Sequence, residues 1–121
     1  MTGRELIGIA DALRPNQYGE EQKLRWLRAL DMMIWDELIA THEFDDAPER
    51  PAAAAAATDA LLAPEPYALE LYCQYLFSRI DLNNAEIARY NQSSRLFSAA
   101  WRQLADHVNR TRRPRGAAIR I

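Results

Sequence analysis

Apolar residues recur at intervals of three and four along most of this chain of 121 residues, and this spacing limits the fold more than any other feature. Such intervals place side chains on one face of a helix, whereas a half-buried strand needs strict alternation. Alternation of the strand type is confined to Ala117–Ile121. We therefore predict an all-α fold.

Two helices are predicted in the first half of the chain. Thr2 and Glu5 have the spacing of a capping box, which predicts a short helix over Gly3–Leu13. A second, amphipathic helix should begin after Gly19 and end near His42. Its apolar stripe consists of Leu24, Leu27, Leu30, Ile34 and Leu38.

The second half carries the longest periodic stretch. Apolar intervals of four and three alternate over residues 69–108 once two polar positions are counted in the stripe. Because an unbroken alternation implies one helical phase, we predict one long helix, straight or kinked, over residues 66–110. The alternative is a break at Asp81–Asn84, where Asp81 would cap a second helix.

Residues 44–66 interrupt the helical pattern. This segment holds four prolines and six consecutive alanines, and a helix this short between prolines is marginal in water. We interpret it as an Ala/Pro-rich linker inside a single helical domain of residues 1–111. Pro114 and Gly116 should stop the last helix, so residues 112–121 are predicted to form an extended, basic C-terminal arm.

Several kinds of chemistry have no support in the composition. The four glycines form no phosphate loop, and one cysteine with two histidines offers no zinc spacing. No apolar run reaches about 18 residues, so no membrane span is expected. We predict that the chain is not an enzyme and uses no cofactor or metal. The acidic cluster at Thr41–Asp46 is interpreted as a solvated helix end rather than a divalent metal site.

The formal net charge of −2 conceals an asymmetry between the two halves of the chain. Residues 1–66 contain 13 acidic and 6 basic side chains, whereas residues 67–121 contain 4 acidic and 9 basic ones, all arginines. This dipole favours head-to-tail contact between copies, or docking on an oppositely charged partner. Two solvated faces without a partner are the alternative.

Aromatic side chains at helical spacing provide a candidate contact surface. Tyrosines and tryptophans in such positions pack in a core or in a subunit interface. The alternative is stacking of single-stranded nucleic acid, which would also use arginines of the same helix. The predicted interface or core residues are Trp26, Trp35, Tyr72, Tyr75, Tyr90, Phe97 and Trp101.

The end of the chain carries five arginines within its last twelve residues. Clustered guanidinium groups favour phosphate binding, whereas the apolar and basic alternation at its very end favours strand addition to a partner. A solvated terminus is the third interpretation. The predicted partner-binding residues are Arg110, Arg112, Arg113, Arg115, Ile119, Arg120 and Ile121.

Motifs in both halves give a resemblance to a known family. Those in the second half are Pro66-Tyr67, Tyr72-x-x-Tyr75-Leu76, Ile80-Asp81, Asn84-x-Glu86-x-x-x-Tyr90-Asn91, Phe97 and Asn109-Arg110-Thr111. Those in the first half are Leu13-Arg14-Pro15-Asn16, Lys23-Leu24-Arg25-Trp26-Leu27 and Thr41-His42-Glu43. Over most of its length outside the linker, the chain resembles small helical structural proteins from the head-to-tail module of tailed bacteriophages.

The resemblance implies a head-to-tail connector, or adaptor, in the neck of the virion. Such proteins form a ring, commonly of about twelve copies, beneath the portal protein, and their helices surround the DNA channel. They join the capsid to a downstream tail, stopper or terminator protein after assembly in the host cytoplasm. Non-specific contact with the channel DNA follows from this position, and no membrane is involved.

The same resemblance assigns roles to the arm, which typically reaches up to the portal. Ile119 and Ile121 would anchor it in a portal groove, and the arginines before them would pair with acidic partner residues or line the DNA path. The alternative function is a helical DNA-binding or DNA-packaging accessory protein. That alternative predicts DNA binding with a steep salt dependence.

Overall fold

The structure, a computed structural model, describes residues 1–52 and 56–116. It contains the helices α1 (Gly3–Leu13), α2 (Glu20–Ile34), α3 (Ala68–Asn83) and α4 (Ile87–Thr111), with a π-helical turn at Trp35–Ile39 that continues α2. Within the described ranges there is no strand, only two isolated bridge pairs, so the predicted all-α fold is confirmed. No helix in these ranges is long and apolar enough to cross a membrane.

Both helices predicted in the first half are present. The Glu5 amide donates to the Thr2 hydroxyl at 3.2 Å, and the Thr2 amide donates to the Glu5 carboxylate at 3.0 Å. This capping box satisfies two amide groups at the helix start, and α1 begins at the predicted residue. Helix α2 begins directly after Gly19, and its helical path continues to Ile39, close to the predicted end.

The prediction of one long helix over residues 66–110 is wrong, because the chain reverses at Asn84–Glu86 between α3 and α4. Ala85 adopts a positive φ of 56°, and this left-handed conformation cannot continue a right-handed helix. The turn removes the usual helical acceptor of the Glu86 amide, which instead donates to Asp81 O at 3.0 Å. The alternative break at Asp81–Asn84 overlaps this turn at Asn84, the C-cap of α3, but Asp81 is inside α3 and does not cap α4.

Helices α3 and α4 form an antiparallel hairpin, which explains why the periodicity did not reveal the turn. Ring centroids are 5.2 Å apart for Tyr75 and Phe97 and 4.9 Å apart for Tyr67 and His107. Each helix therefore turns its apolar stripe toward the other, and the stripe keeps its phase across the turn. Because no Gly or Pro marks the turn, the apolar spacing of two helices in a hairpin is the same as the spacing of one continuous helix.

Helix α3 lies at the centre of the core and packs against α1, α2 and α4. Leu71, Tyr72 and Leu76 on this helix have no exposed surface. Helix α4 is buried mainly along its C-terminal half, since Ser93 is the one buried residue in its first three turns. Ile87 in those turns is 60% exposed. The start of α4 is thus covered on one side only.

The second half of the predicted linker belongs to the core. The Arg4 amide donates to Ala57 O at 3.0 Å, and the Leu61 amide donates to Met1 O at 2.9 Å. Ala57, Leu61 and Ala63 are buried. Burial of these apolar groups and satisfaction of their backbone amides fix residues 56–63 against α1 and α2.

Candidate interaction surfaces

An ion pair between a buried carboxylate and a partly exposed guanidinium fixes the hairpin turn to the first half of the chain. The Asp81 carboxylate at the end of α3 is buried and pairs with the guanidinium of Arg14, which follows α1. Its Oδ2 accepts from Arg14 Nη1 at 3.4 Å and from Ser93 Oγ at 2.9 Å. The guanidinium also lies over the Phe77 ring, 4.7 Å from its centroid. This contact joins α1, α3 and α4.

A second buried network joins α2 to α3 and to the linker. Tyr72 Oη donates to Asp31 Oδ1 at 2.5 Å and accepts from Ala63 N at 2.8 Å. Arg28 lies 3.7 Å from the Asp31 carboxylate and also donates to Ala56 O. Burial is the strongest influence on Asp31 and raises its pKa to about 6, while the hydrogen bond from Tyr72 acts in the opposite direction.

The C-terminal arm begins with a fixed segment, which we name the arm junction (residues 41–43 with residues 112–115). Two main-chain hydrogen bonds of 2.8 Å join these two segments. Arg115 Nε also donates to His42 O at 3.0 Å. The His42 imidazole is buried beneath the junction, where its Nε2 lies 2.7 Å from Asn109 Oδ1 of α4. The base of the arm is therefore tied to the segment that follows the π-helical turn, and this segment in turn contacts α4.

The predicted partner-binding arginines fall into two groups. Arg112 lies over the Phe44 ring, 4.5 Å from its centroid, and Arg115 belongs to the arm junction, so both are held by the chain itself. Arg110 and Arg113 are exposed, and neither forms an ion pair with a carboxylate of the described residues. The predicted arm residues outside the described part of the chain are Ile119, Arg120 and Ile121.

An apolar cleft of about 540 Å³ opens beside the arm junction. Its walls come from the π-helical turn, the linker and the last turns of α4. Leu38, Leu62 and Val108 supply apolar lining, while Arg112 and Asp46 supply polar lining. The cleft therefore borders the base of the arm.

The aromatic groove is an open groove of about 440 Å³ between the α2 side and α4. Phe97 and Trp101 form its α4 wall with ring centroids 6.3 Å apart, and Tyr75 packs on Phe97. Met33 and Glu37 form the opposite wall. The three rings pack against the core yet are only half-buried. Large apolar side chains that stay open to solvent together are typical of contact surfaces.

The other aromatic residues of the predicted set lie elsewhere. Tyr72 is fully buried in the core, and Tyr90 is half-buried in the first turn of α4. Trp26 packs on a neighbouring tyrosine ring at 5.3 Å, and Trp35 Nε1 donates to a linker carbonyl at 2.8 Å. The predicted residues that the structure brings together are Tyr75, Phe97 and Trp101.

The acidic cluster at Thr41–Asp46 does not converge on a common point. The His42 imidazole turns inward toward Asn109, while Asp45 and Asp46 are exposed. Across residues 1–52 and 56–116, no group of three or more His, Cys, Asp or Glu side chains is placed to hold a metal ion.

Sequence reasoning missed the polar residues that hold these surfaces in place. Arg14 pairs with Asp81, and His42 contacts Asn109, in each case across the two halves of the chain. Neither pair was expected from the charge pattern or the periodicity. The available signal was that all four residues lie in the motifs that carry the resemblance.

Comparison of the chain with family models, with curated proteins and with solved structures found no match. A proposal for its function therefore draws on the geometry of these surfaces and on the motifs of the sequence.

Proposed function

We propose that the chain is a virion structural protein, a head-to-tail connector whose copies form a ring under the portal protein and around the DNA channel. The ring would join the capsid to the tail in the phage neck. Its role in this proposal is mechanical, so it needs two kinds of contact. Lateral contacts hold neighbouring copies together, and axial contacts meet the portal on one side and a tail, stopper or terminator protein on the other.

The aromatic groove is the observation that carries the proposal. Aromatic and methionine side chains are enriched at the centres of protein interfaces, and charged ones at their rims. Met33, Phe97 and Trp101 give the groove such a centre, and Glu37 and Arg102 give it such a rim. A neighbouring subunit that covers the groove would remove apolar surface from water, which is worth about 25 cal/mol per Å².

The arm junction supports the axial part of the proposal. Its hydrogen bonds fix residues 112–115 against the body, so the remaining residues of the arm start from a defined point. A fixed base lowers the conformational entropy that a partner must remove when the arm docks. The exposed side chain of Arg113 stands beside this base and is available to an acidic partner surface.

A DNA-binding or DNA-packaging accessory protein is the second candidate function. It is favoured by Arg95, Arg102 and Arg110, which are exposed on α4 and form no ion pair within the described residues. This candidate predicts that the purified chain alone retains DNA with an affinity that falls steeply as salt rises. The connector proposal predicts that such binding is weak until copies assemble.

Removal of residues 117–121 tests the axial contact. The shortened chain should lose at least about a hundredfold in affinity for the portal protein of the same phage, because its apolar anchors are gone. Its helices and self-association should be unchanged, because the cut spares the arm junction. Co-sedimentation with portal rings and circular dichroism measure both quantities.

A full-length chain with Ile119→Ser and Ile121→Ser is the matched control for the shortened chain, because it keeps the length of the arm and removes its apolar groups alone. We expect the same loss of portal binding. A shortened chain that binds the portal as tightly as the full chain would contradict the assignment of the arm.

A further inference from the structure

We propose that neighbouring copies meet through opposite charges, with the basic face of α4 on one copy receiving the acidic segment of the next. The basic face is Arg95, Arg102 and Arg110, and the acidic segment is Glu43–Glu49. This inference rests on the proposed function, because it assigns the lateral contact of the ring. It uses surfaces that the hydrogen bonds and ion pairs of a single copy leave free among the described residues.

The basic face presents charges at regular distances along α4. Arg95 and Arg102 are seven residues apart, which places them on the same side of the helix about 11 Å from each other. Arg110 follows about 12 Å further along the axis. By contrast, Arg89 near the start of α4 is paired with Glu86 at 3.2 Å. The three later arginines form no ion pair within the described residues, so their guanidinium groups can pair with a partner.

The acidic segment has a defined path beside the arm junction. Its first residue belongs to the arm junction, and its Phe44 ring lies under the Arg112 guanidinium. Further along, Pro48 O accepts from Trp35 Nε1 at 2.8 Å. Its carboxylates are exposed and have no ion-pair partner among the described residues: they are Glu43, Asp45, Asp46 and Glu49.

No ion pair joins the basic face to the acidic segment within the described part of one copy. Glu37 lies on one wall of the groove and Arg102 on the other, and no ion pair crosses it in the described chain. In the proposed contact, a second copy supplies the complementary charge to each surface. Because the two surfaces are different parts of the chain, the contact can be repeated from copy to copy and close into a ring.

A nucleic acid fits this arrangement less well than a second copy does. Its phosphates would meet the arginines of α4, but the acidic segment of the same chain would repel them. A second copy uses both surfaces at once. Charge complementarity of this kind also raises the rate of association and suppresses wrong orientations.

A charge exchange tests the contact. Arg95→Glu with Arg102→Glu should weaken self-association of the full chain about a hundredfold, because like charges then face each other. Asp45→Arg with Asp46→Arg should do the same. A chain with all four changes should return to within about tenfold of the unaltered chain, since the charges have only changed sides. Sedimentation velocity at about 50 mM salt, where screening is weak, measures the association.

The matched control is Glu21→Arg with Arg25→Glu, an exchange within one exposed pair of α2 that lies outside both surfaces. It should leave self-association unchanged, and circular dichroism should show native helix content for every variant.

If neither reversal weakens association, or if the fourfold variant fails to recover, the contact is wrong, although a ring formed by the unaltered chain would still support the proposed function. An unaltered chain that stays monomeric at this salt also overturns the contact. So does an arginine reversal that abolishes DNA retention while association is unchanged, since the face would then bind nucleic acid.

Discussion

Replacement of Arg14 by alanine should lower the free energy of unfolding by about 3–5 kcal/mol. The Asp81 carboxylate is buried, and without Arg14 its remaining side-chain hydrogen bond comes from Ser93. An uncompensated buried charge costs far more than an exposed pair contributes. The substitution also removes the cation over Phe77. For a domain of this size the loss is a large part of the total stability.

Urea denaturation measures this loss, with Arg25→Ala as the matched control. Arg25 is exposed and lies 3.9 Å from the Glu21 carboxylate, so its removal should change the free energy of unfolding by no more than about 0.5 kcal/mol. Asp81→Asn added to Arg14→Ala should restore part of the lost stability, because no buried charge is then left alone. A loss below about 1 kcal/mol for Arg14→Ala would show that the pair does not hold the turn.

The contribution of Asp31 to stability should fall as pH rises through the window between about 4 and 6. Burial raises the pKa of this carboxyl from 3.8 to about 6 in the folded chain. In that window the unfolded chain has released the proton and the folded chain still holds it, so a rise in pH favours unfolding. At about 1.4 kcal/mol per pKa unit, the contribution lost is about 3 kcal/mol, and it stays lost at neutral pH.

Comparison with Asp31→Asn isolates this effect. Other carboxylates act in the opposite direction, as at Glu5 and Asp36, where hydrogen bonds lower the pKa. Their contributions are equal in both chains and cancel in the difference. Asparagine does not titrate, so any change it makes in the hydrogen bond to Tyr72 is a constant offset. The free energy of unfolding of the unaltered chain relative to the variant should therefore decrease by about 2 kcal/mol from pH 4 to pH 7, since part of the contribution is already lost at pH 4. A difference that is flat, or that increases, would contradict the raised pKa.

The elements of the first half could be predicted because their signals are local. The capping box of Thr2 and Glu5 fixes the start of α1, and Gly19 precedes α2. The turn at Ala85 could not be predicted in the same way, since alanine favours helix and gives no sign of a positive φ. The Glu86 amide satisfies Asp81 O locally at the helix end, and Arg14 contacts the Asp81 side chain from the first half of the chain. Both hold this conformation, and neither is marked by a glycine at position 85.

The candidate surfaces were predictable in part. Helical spacing placed Tyr75, Phe97 and Trp101 on related faces, and the structure packs them into one aromatic cluster, of which Phe97 and Trp101 line the groove. The same spacing did not distinguish them from Tyr72, because core and interface positions share one periodicity and differ only in what covers them. The pairing of Arg14 with Asp81 could not be predicted for another reason, because two residues that pair from distant parts of the chain have no characteristic separation in the sequence.

The mass of the assembled chain tests the central claim most directly. Under the connector proposal, native mass spectrometry of the full chain, alone and with a portal protein, should give one closed oligomer of defined copy number. Trp101→Ala, which removes a wall of the aromatic groove, should shift the chain toward smaller species while its helix content is kept. A folded monomer in both samples, together with the absence of the chain from purified virions, would contradict the account.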